Sequence, residues 1–167
     1  LDASGNATFP ANVTCSGTAT GFGGGKLLQV VTASTTTTAT TTGTTYEDTN
    51  LTATISISAN SKVLVLVTQN YEIRRIQDFC AADIKLVRGS TDIWVSTNQK
   101  IIGFGEADVN QKTLLNVLSI SFLDTGASTG SNTYKTQQRV QVGSDTPRIR
   151  TQDDNNPSQI TLLEIGS

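Results

Sequence analysis

The 167-residue sequence predicts an all-β chain, a β-sandwich or jelly roll, and three observations carry that expectation. Threonine, valine and isoleucine are abundant, and these β-branched residues lose little rotamer freedom on a pleated surface. Several segments alternate apolar and polar residues with a period of two, the pattern of a strand with one buried face. Gly, Asn, Asp and Ser separate those segments at short intervals, as turns do. Hydrophobic residues make up 36% of the chain and charged residues 16%, so a packed core is expected and disorder is not.

The first stretch, Leu1–Gly25 (LDASGNATFPANVTCSGTATGFGGG), alternates short Thr- and Val-bearing pieces with Gly, Ser, Asn and Pro. Ala7–Phe9 and Asn12–Cys15 are too short to form an independent sheet and would need neighbouring chains to satisfy their backbone groups. The run ends in Gly21-Phe22-Gly23-Gly24-Gly25, which reads as a joint. A shaft or linker is expected over 1–25 and a β-sandwich head domain over 26–167.

Within the head, Lys26–Thr32 (KLLQVVT) reads as an apolar strand. The Thr-rich run Thr35–Thr45 has two readings, a low-complexity linker or an edge strand whose hydroxyls form cross-strand ladders. Strands on both sides favour the edge strand. Leu51–Ser58 alternates strictly, which puts Leu51, Ala53, Ile55 and Ile57 on one face. Lys62–Thr68 (KVLVLVT) is almost continuously apolar, as expected of a strand covered on both faces. Tyr71–Ile76 predicts a shorter strand, and Gln77–Asp83 is the one segment with a helical look. Ile84–Arg88, the Gly89-Ser90 turn and Asp92–Val95 predict two strands joined tightly, with Trp94 facing away from Ile93 and Val95. Leu114–Leu123 is the longest apolar stretch, Thr133–Val142 alternates, and Ile160–Ile165 closes the domain. The total is roughly eight to ten strands.

Composition excludes several functions. The net charge of −2 provides no basic field for phosphate contacts, and Arg74/Arg75 and Arg148/Arg150 are small clusters beside acids, so no nucleic-acid partner is expected. No apolar stretch approaches the ~20 residues of a spanning helix, so no membrane insertion is expected. Cys15 and Cys80 lack C-x-x-C spacing; Cys80 reads as a small buried residue and Cys15 as exposed. Methionine is absent, and the chain is expected to be a piece of a longer polypeptide.

Histidine is absent as well, which removes Ser-His-Asp and Cys-His arrangements and the commonest nitrogen ligand of zinc. The acidic candidates for a glycosidase-type pair are Glu47/Asp48, Glu72, Asp78, Asp83, Glu106/Asp108 and Asp153/Asp154, most of which lie among turn residues. The expectation is no enzyme, no cofactor and no metal site. Asp153-Asp154-Asn155-Asn156 lacks the spaced acidic pattern of a calcium loop and reads as a polar turn ahead of Pro157. Trp94, the single tryptophan, has two readings, a core or interface residue or a stacking platform for a sugar. Tyr46, Tyr71 and Tyr134 share the two readings.

The order of segments resembles a known family. GGKLLQVV (24–31) leads into a Thr-rich stretch ending in Tyr46-Glu47-Asp48-Thr49, then LTATISI (51–57), SKVLVLVTQN (61–70), KLVRGSTDIW (85–94), LSISFLDT (118–125), TYKTQQRVQV (133–142) and ITLLEIG (160–166). This succession resembles a domain of tailed-bacteriophage virion proteins, including tail fibres and related surface fibres. The opening LDASGNATF (1–9) resembles the repetitive shaft that precedes fibre heads. The resemblance implies a homotrimer of jelly-roll-like heads on a shaft, carried on the virion; separately, the strongly apolar first and last strands, Lys26–Thr32 and Ile160–Ile165, are expected to pair near the three-fold axis. It brings no catalytic residues.

The partners it implies are the chain itself, other virion proteins through the N-terminal segment, and a host surface glycan. The leading expectation is a receptor-binding head. The alternatives are a capsid decoration protein or head fibre, and a depolymerase spike. Contacts are expected in Gly89–Asp92, Asn98–Lys100, Gly126–Asn132 and Gln152–Asn156, with Trp94, Tyr71, Tyr134, Asp92, Asn98 and Asn132 as ligand-binding candidates.

Overall fold

The computed structural model describes residues 26–75, 80–95, 102–104, 112–143 and 147–166. The expected shaft over 1–25 with Cys15, and the loop carrying Asn98, lie outside the described residues. The strands are β1 (Leu27–Thr35), β2 (Ala39–Thr41), β3 (Glu47–Ile57), β4 (Lys62–Arg75), β5 (Cys80–Arg88), β6 (Thr91–Val95), β7 (Ile102–Phe104), β8 (Lys112–Asp124), β9 (Gly130–Gly143), β10 (Arg148–Thr151) and β11 (Ser158–Ile165). A 3-10 turn, Asp153–Asn155, stands between the last two.

Alternation becomes two-faced strands as expected. In β3, Leu51, Ala53, Ile55 and Ile57 are buried and the residues between them exposed. In β4, Val63, Val65 and Val67 point into the core. The same strand corrects the expectation of a doubly covered run, because Leu66 is exposed on the outer face and Leu64 only half-buried. Tyr71–Arg75 continues β4 without a break, paired residue for residue with β8. Gln77–Asp83 is corrected over its described part: Cys80–Asp83 opens β5, because Cys80 and Ala82 are drawn into the core and pair with β9.

Pairing gives two four-line sheets. β1 and β2 run in one line and β11 and β10 in the next, so the first sheet reads β8, β4, β11/β10, β1/β2. The second reads β3, β9, β5, β6/β7. The chain crosses between sheets at every connection except the β1–β2 and β10–β11 breaks within a line, the β5–β6 hairpin and the passage from β6 to β7. That alternation of eight lines is the double Greek key of a jelly roll. The Thr-rich run forms the end of β1 and β2, an edge line as expected. Gly89, at φ +57, makes the hairpin turn in a region that L side chains resist.

Trp94 departs from its expected facing. The β5–β6 ladder slips between Leu86 and Val87, which pair with Trp94 and Asp92, and Ile93 is the extra residue. Ile93 and Trp94 therefore both pack against the core, because a bulge breaks strict alternation.

Two carboxylates close the end of the sandwich where β1 begins. Asp124 on β8 accepts from Arg88 at 2.5 Å and from the Tyr134 hydroxyl at 2.8 Å, joining the two sheets. Glu164 on β11 accepts from the Ser58 backbone N–H and from Gln29 Nε2, each at 2.7 Å. Those bonds, the backbone one first and then those from Gln29 and Ser61, hold its carboxyl at about 2, below the ordinary 4.5. The unfolded chain therefore takes up this proton first as pH falls. Glu164's contribution is complete above about 4.5 and lost on the way down to about 2. Glu164→Gln should flatten that acid limb of a stability–pH curve measured by urea unfolding; an unchanged slope between those pH values counts against the assignment.

Candidate functional site

A layer of polar side chains divides the core into two apolar clusters. One holds Leu51, Ile55, Val65, Leu86, Tyr134 and Leu162 among others, and the second centres on Tyr71, Ile73, Ile84 and Ile149. Between them Thr49, Gln69, Thr136, Thr151, Gln152 and Ser158 are all buried. Gln69 Nε2 donates to Thr49 Oγ1 at 2.9 Å, and the Thr49 and Thr136 hydroxyls share a bond of 2.5 Å. The Gln152 amide is oriented so that its oxygen accepts from Gln69 Nε2 (3.0 Å) and Ser158 Oγ (2.9 Å), and its nitrogen donates to Thr49 O (3.0 Å); the reverse orientation opposes like groups. These bonds run from one sheet to the other through the interior.

Every strand break near this layer lies at its level. β1 and β2 are separated at 36–38, β3 bulges between Asp48 and Thr52, and β10 and β11 are separated at 152–157. With Gln152 anchored inward, residues 153–157 are displaced outward as an excursion. It is fastened by Gln152 N–H to Asn70 O (3.2 Å), Asn70 Nδ2 to Pro157 O (2.5 Å) and Thr38 Oγ1 to Gln152 O (2.9 Å). Gln152, Asp154 and Asn155 all have φ between 53 and 58, a left-handed conformation seldom adopted by non-glycine residues. Such backbone persists only where surrounding contacts over-determine it.

The excursion forms one wall of a cleft on the outer face of the first sheet, about 260 Å³ in volume. Asn70 and Tyr71 of β4, Leu115, Asn116 and Val117 of β8, and Asp153 and Asn156 of the excursion line it. Leu115 is 66% and Val117 49% exposed, so two apolar side chains stand side by side in solvent. Asp153 Oδ1 accepts from Arg150 at 3.0 Å, and Asn156 Nδ2 donates to Asp153 O at 2.9 Å.

The expected binding residues are not gathered at one place. Tyr71 lines the cleft, although its side chain belongs to the second core cluster and burial raises its hydroxyl pKa. Tyr134 is fully buried, so of its two readings the core one holds and the ligand-platform one does not: burial, then the bond to Asp124, pushes its hydroxyl well above the ordinary range. Asn132 is buried too and closes the Ser128–Asn132 turn through bonds to Ser128 O (2.7 Å) and Gly130 O (2.9 Å). Asp92 is exposed and pairs with Lys85 at 2.7 Å. Trp94 rests half-buried on the first core cluster. Tyr46 is half-buried, its ring between Lys85 (4.2 Å) and Arg139 (4.5 Å); burial and then the Asp83 charge raise its pKa.

Several acidic candidates are held in ion pairs. Glu72 pairs with Arg148 (2.7 Å), Asp83 with Arg139 (2.9 Å) and Asp48 with Lys135 (2.9 Å). Among the described residues no group of three or more His, Cys, Asp or Glu side chains collects. Of the expected contact loops, Gln152–Asn156 supplies the cleft. Leu115, Asn116, Val117 and Asn70 carried no signal of their own, since they read as strand interior.

A second feature shares the outer face of this sheet. Every exposed large hydrophobic among the described residues belongs to it: Leu27, Leu28 and Val30 of β1, Leu66 of β4, and Leu115, Val117 and Leu123 of β8. Register aligns Leu123, Leu64, Leu163 and Val30 into one apolar row across four strands. On the other sheet the corresponding rows are polar, such as Thr54 with Thr133, whose hydroxyls bond at 2.8 Å.

No protein-family model matches the chain, and no curated protein does. Among solved structures, the crystal structure of dimeric latent PorU from Porphyromonas gingivalis is similar over 87% of this chain, at 8% identity and a TM-score of 0.32. The chain spans 14% of that protein's length, and a likeness so loose carries no argument.

Truncating the anchor should loosen this region. Gln152→Ala leaves Gln69, Ser158 and Thr49 with unmet buried groups, an expected loss of about 2–3 kcal/mol in urea unfolding. Amide exchange should accelerate at 153–156 before it does in β4. A loss under about 0.5 kcal/mol would refute the anchoring role.

Proposed function

We propose that the chain is a non-catalytic head domain of a tailed-bacteriophage virion fibre, self-associated as a homotrimer and binding the host surface. The observation that carries the reading is the one-sided apolar face built on the first and last strands. Lys62–Thr68 and Leu114–Leu123 have sequences suited to cover on both sides, and a single chain covers only one. Contiguous exposed apolar surface marks an interaction site in a soluble protein. Identical copies are the partner argued for, because residues 1–25 join at Lys26, beside Leu27, Leu28 and Val30. A three-fold arrangement follows the family resemblance, and closed cyclic symmetry turns one weak surface site into three.

Sedimentation equilibrium of the whole chain at micromolar concentration should give a trimer. The pair Val30→Asp and Leu163→Asp should dissociate it while strand content by circular dichroism is retained. A monomeric parent chain, or a trimer indifferent to both changes, overturns the reading. On virions that carry the chain, antibodies against residues 26–167 should label the tail periphery. Label spread over the capsid would replace attachment with decoration.

A further inference from the structure

We propose that the cleft between β8 and the 153–157 excursion binds a single uncharged pyranose ring. This rests on the surface-binding reading and gives it a site and a ligand class. A sugar ring presents one face of C–H groups and an edge of hydroxyls, each of which both donates and accepts. The cleft matches both parts. Leu115 and Val117, two residues apart on one face of β8, form a small apolar platform whose solvent exposure nothing else among the described residues relieves.

Polar capacity surrounds that platform. Asn116, opposite Tyr71 in register, stands on the other face of β8 from the platform, and its Oδ1 accepts from the Val117 N–H at 2.7 Å. Asn70 and Asn156 spend their Nδ2 atoms on Pro157 O and Asp153 O, so their Oδ1 atoms remain acceptors. Asp153 binds Arg150 through Oδ1, and Oδ2 is the third available acceptor. Three acceptors from two segments border a cleft of about 260 Å³, just below the ~300–1,000 Å³ of drug-sized sites and suited to one ring.

Charge sets the selectivity. The lining carries the Asp153 carboxylate and no cation, and Arg150 beside it is already paired. A uronate or sialate would bring its carboxylate against Asp153 with nothing to neutralise it, so acidic sugars are excluded. The site also stays clear of the apolar row. Leu123 and Asn116 are seven residues apart on β8, about 23 Å at the rise of an extended strand. Lys26, where residues 1–25 join, lies at the Leu123 end, so the cleft faces away from the point of attachment.

The test is a titration of the isotope-labelled whole chain, followed by amide and side-chain NMR shifts. The probes are methyl glycosides of glucose, galactose, mannose and N-acetylglucosamine, with glucuronate and N-acetylneuraminate as acidic controls. At least one neutral glycoside should shift Asn116, Val117 and Asn156 saturably, with a Kd on the order of 1 mM. Asn156→Ala and Leu115→Ser, both at exposed positions, should each weaken binding about tenfold with the rest of the spectrum unchanged. Three outcomes overturn the proposal: no saturable shift with any neutral glycoside, shifts that survive both substitutions, or acidic sugars binding equally well. None of these outcomes touches virion labelling or trimer formation, so the attachment reading stands or falls by its own test.

Discussion

Gln152 is tied into the middle of the protein by its own side chain, and much of the architecture follows from where that amide must sit. Gln69 occupies an inward position in β4 directly after Val63, Val65 and Val67, where the alternating pattern calls for another apolar residue. A buried amide there is costly unless its partners are complete. Its nitrogen donates to Thr49 Oγ1 of the opposite sheet and to the Gln152 oxygen of the same sheet, which also accepts from Ser158, while Gln69 Oε1 is buried without a partner among the described residues. To bring Thr49 inward, β3 takes a bulge with Asn50 at φ 65; to bring Gln152 inward, the last line breaks into β10 and β11. The excursion outside follows from the Gln152 amide anchored inside, and the cleft exists because the excursion does. A surface feature on this sheet is thus positioned from the interior, which is the kind of support a precise site needs.

Ion pairs act differently in this molecule. Arg139–Asp83 and Arg148–Glu72 each join neighbouring lines and Arg88–Asp124 joins the two sheets, in each case with the carboxylate buried and the guanidinium nearer the surface. Such pairs add little net stability over an apolar contact of equal volume, since desolvation offsets attraction. A one-residue slip in register, however, would leave each carboxylate buried without its cation. In an eight-line sandwich rich in near-equivalent Thr and Val positions, that penalty selects one pairing among many.

The strands themselves were legible in the sequence because period two is a local signal. LTATISIS and Thr133–Val142 declare their faces residue by residue, and β3 and β9 follow them. The misreadings have local causes too. Cys80–Asp83 lacks alternation because both of its faces are buried, and a run without period two does not announce a strand. Trp94 was misplaced by a bulge that no dipeptide marks. The polar layer was hidden for a deeper reason: Thr49, Gln69 and Gln152 are ordinary residues in their own segments, and only the jelly-roll pairing makes them neighbours. Asp153-Asp154-Asn155-Asn156 was recognisable as a turn, whereas its partners Leu115 and Val117 looked like strand interior.

The two sheets carry opposite surfaces, and that asymmetry limits what the fold can be doing. The outer face of the β3–β9–β5 sheet carries Thr, Ser, Lys and Asp side chains that bond to one another across strands. The outer face of the other sheet holds Leu123, Leu64, Leu163 and Val30 in one row, where alternation would have accepted threonine at no cost to the core. Thr32 and Thr161, one register step away on the same face, show that the position tolerates it. An apolar row there adds nothing to the core of the single chain and is the surface on which the proposed self-association rests. Because the row and the cleft occupy opposite ends of one continuous sheet, a partner can cover the first and leave the second open.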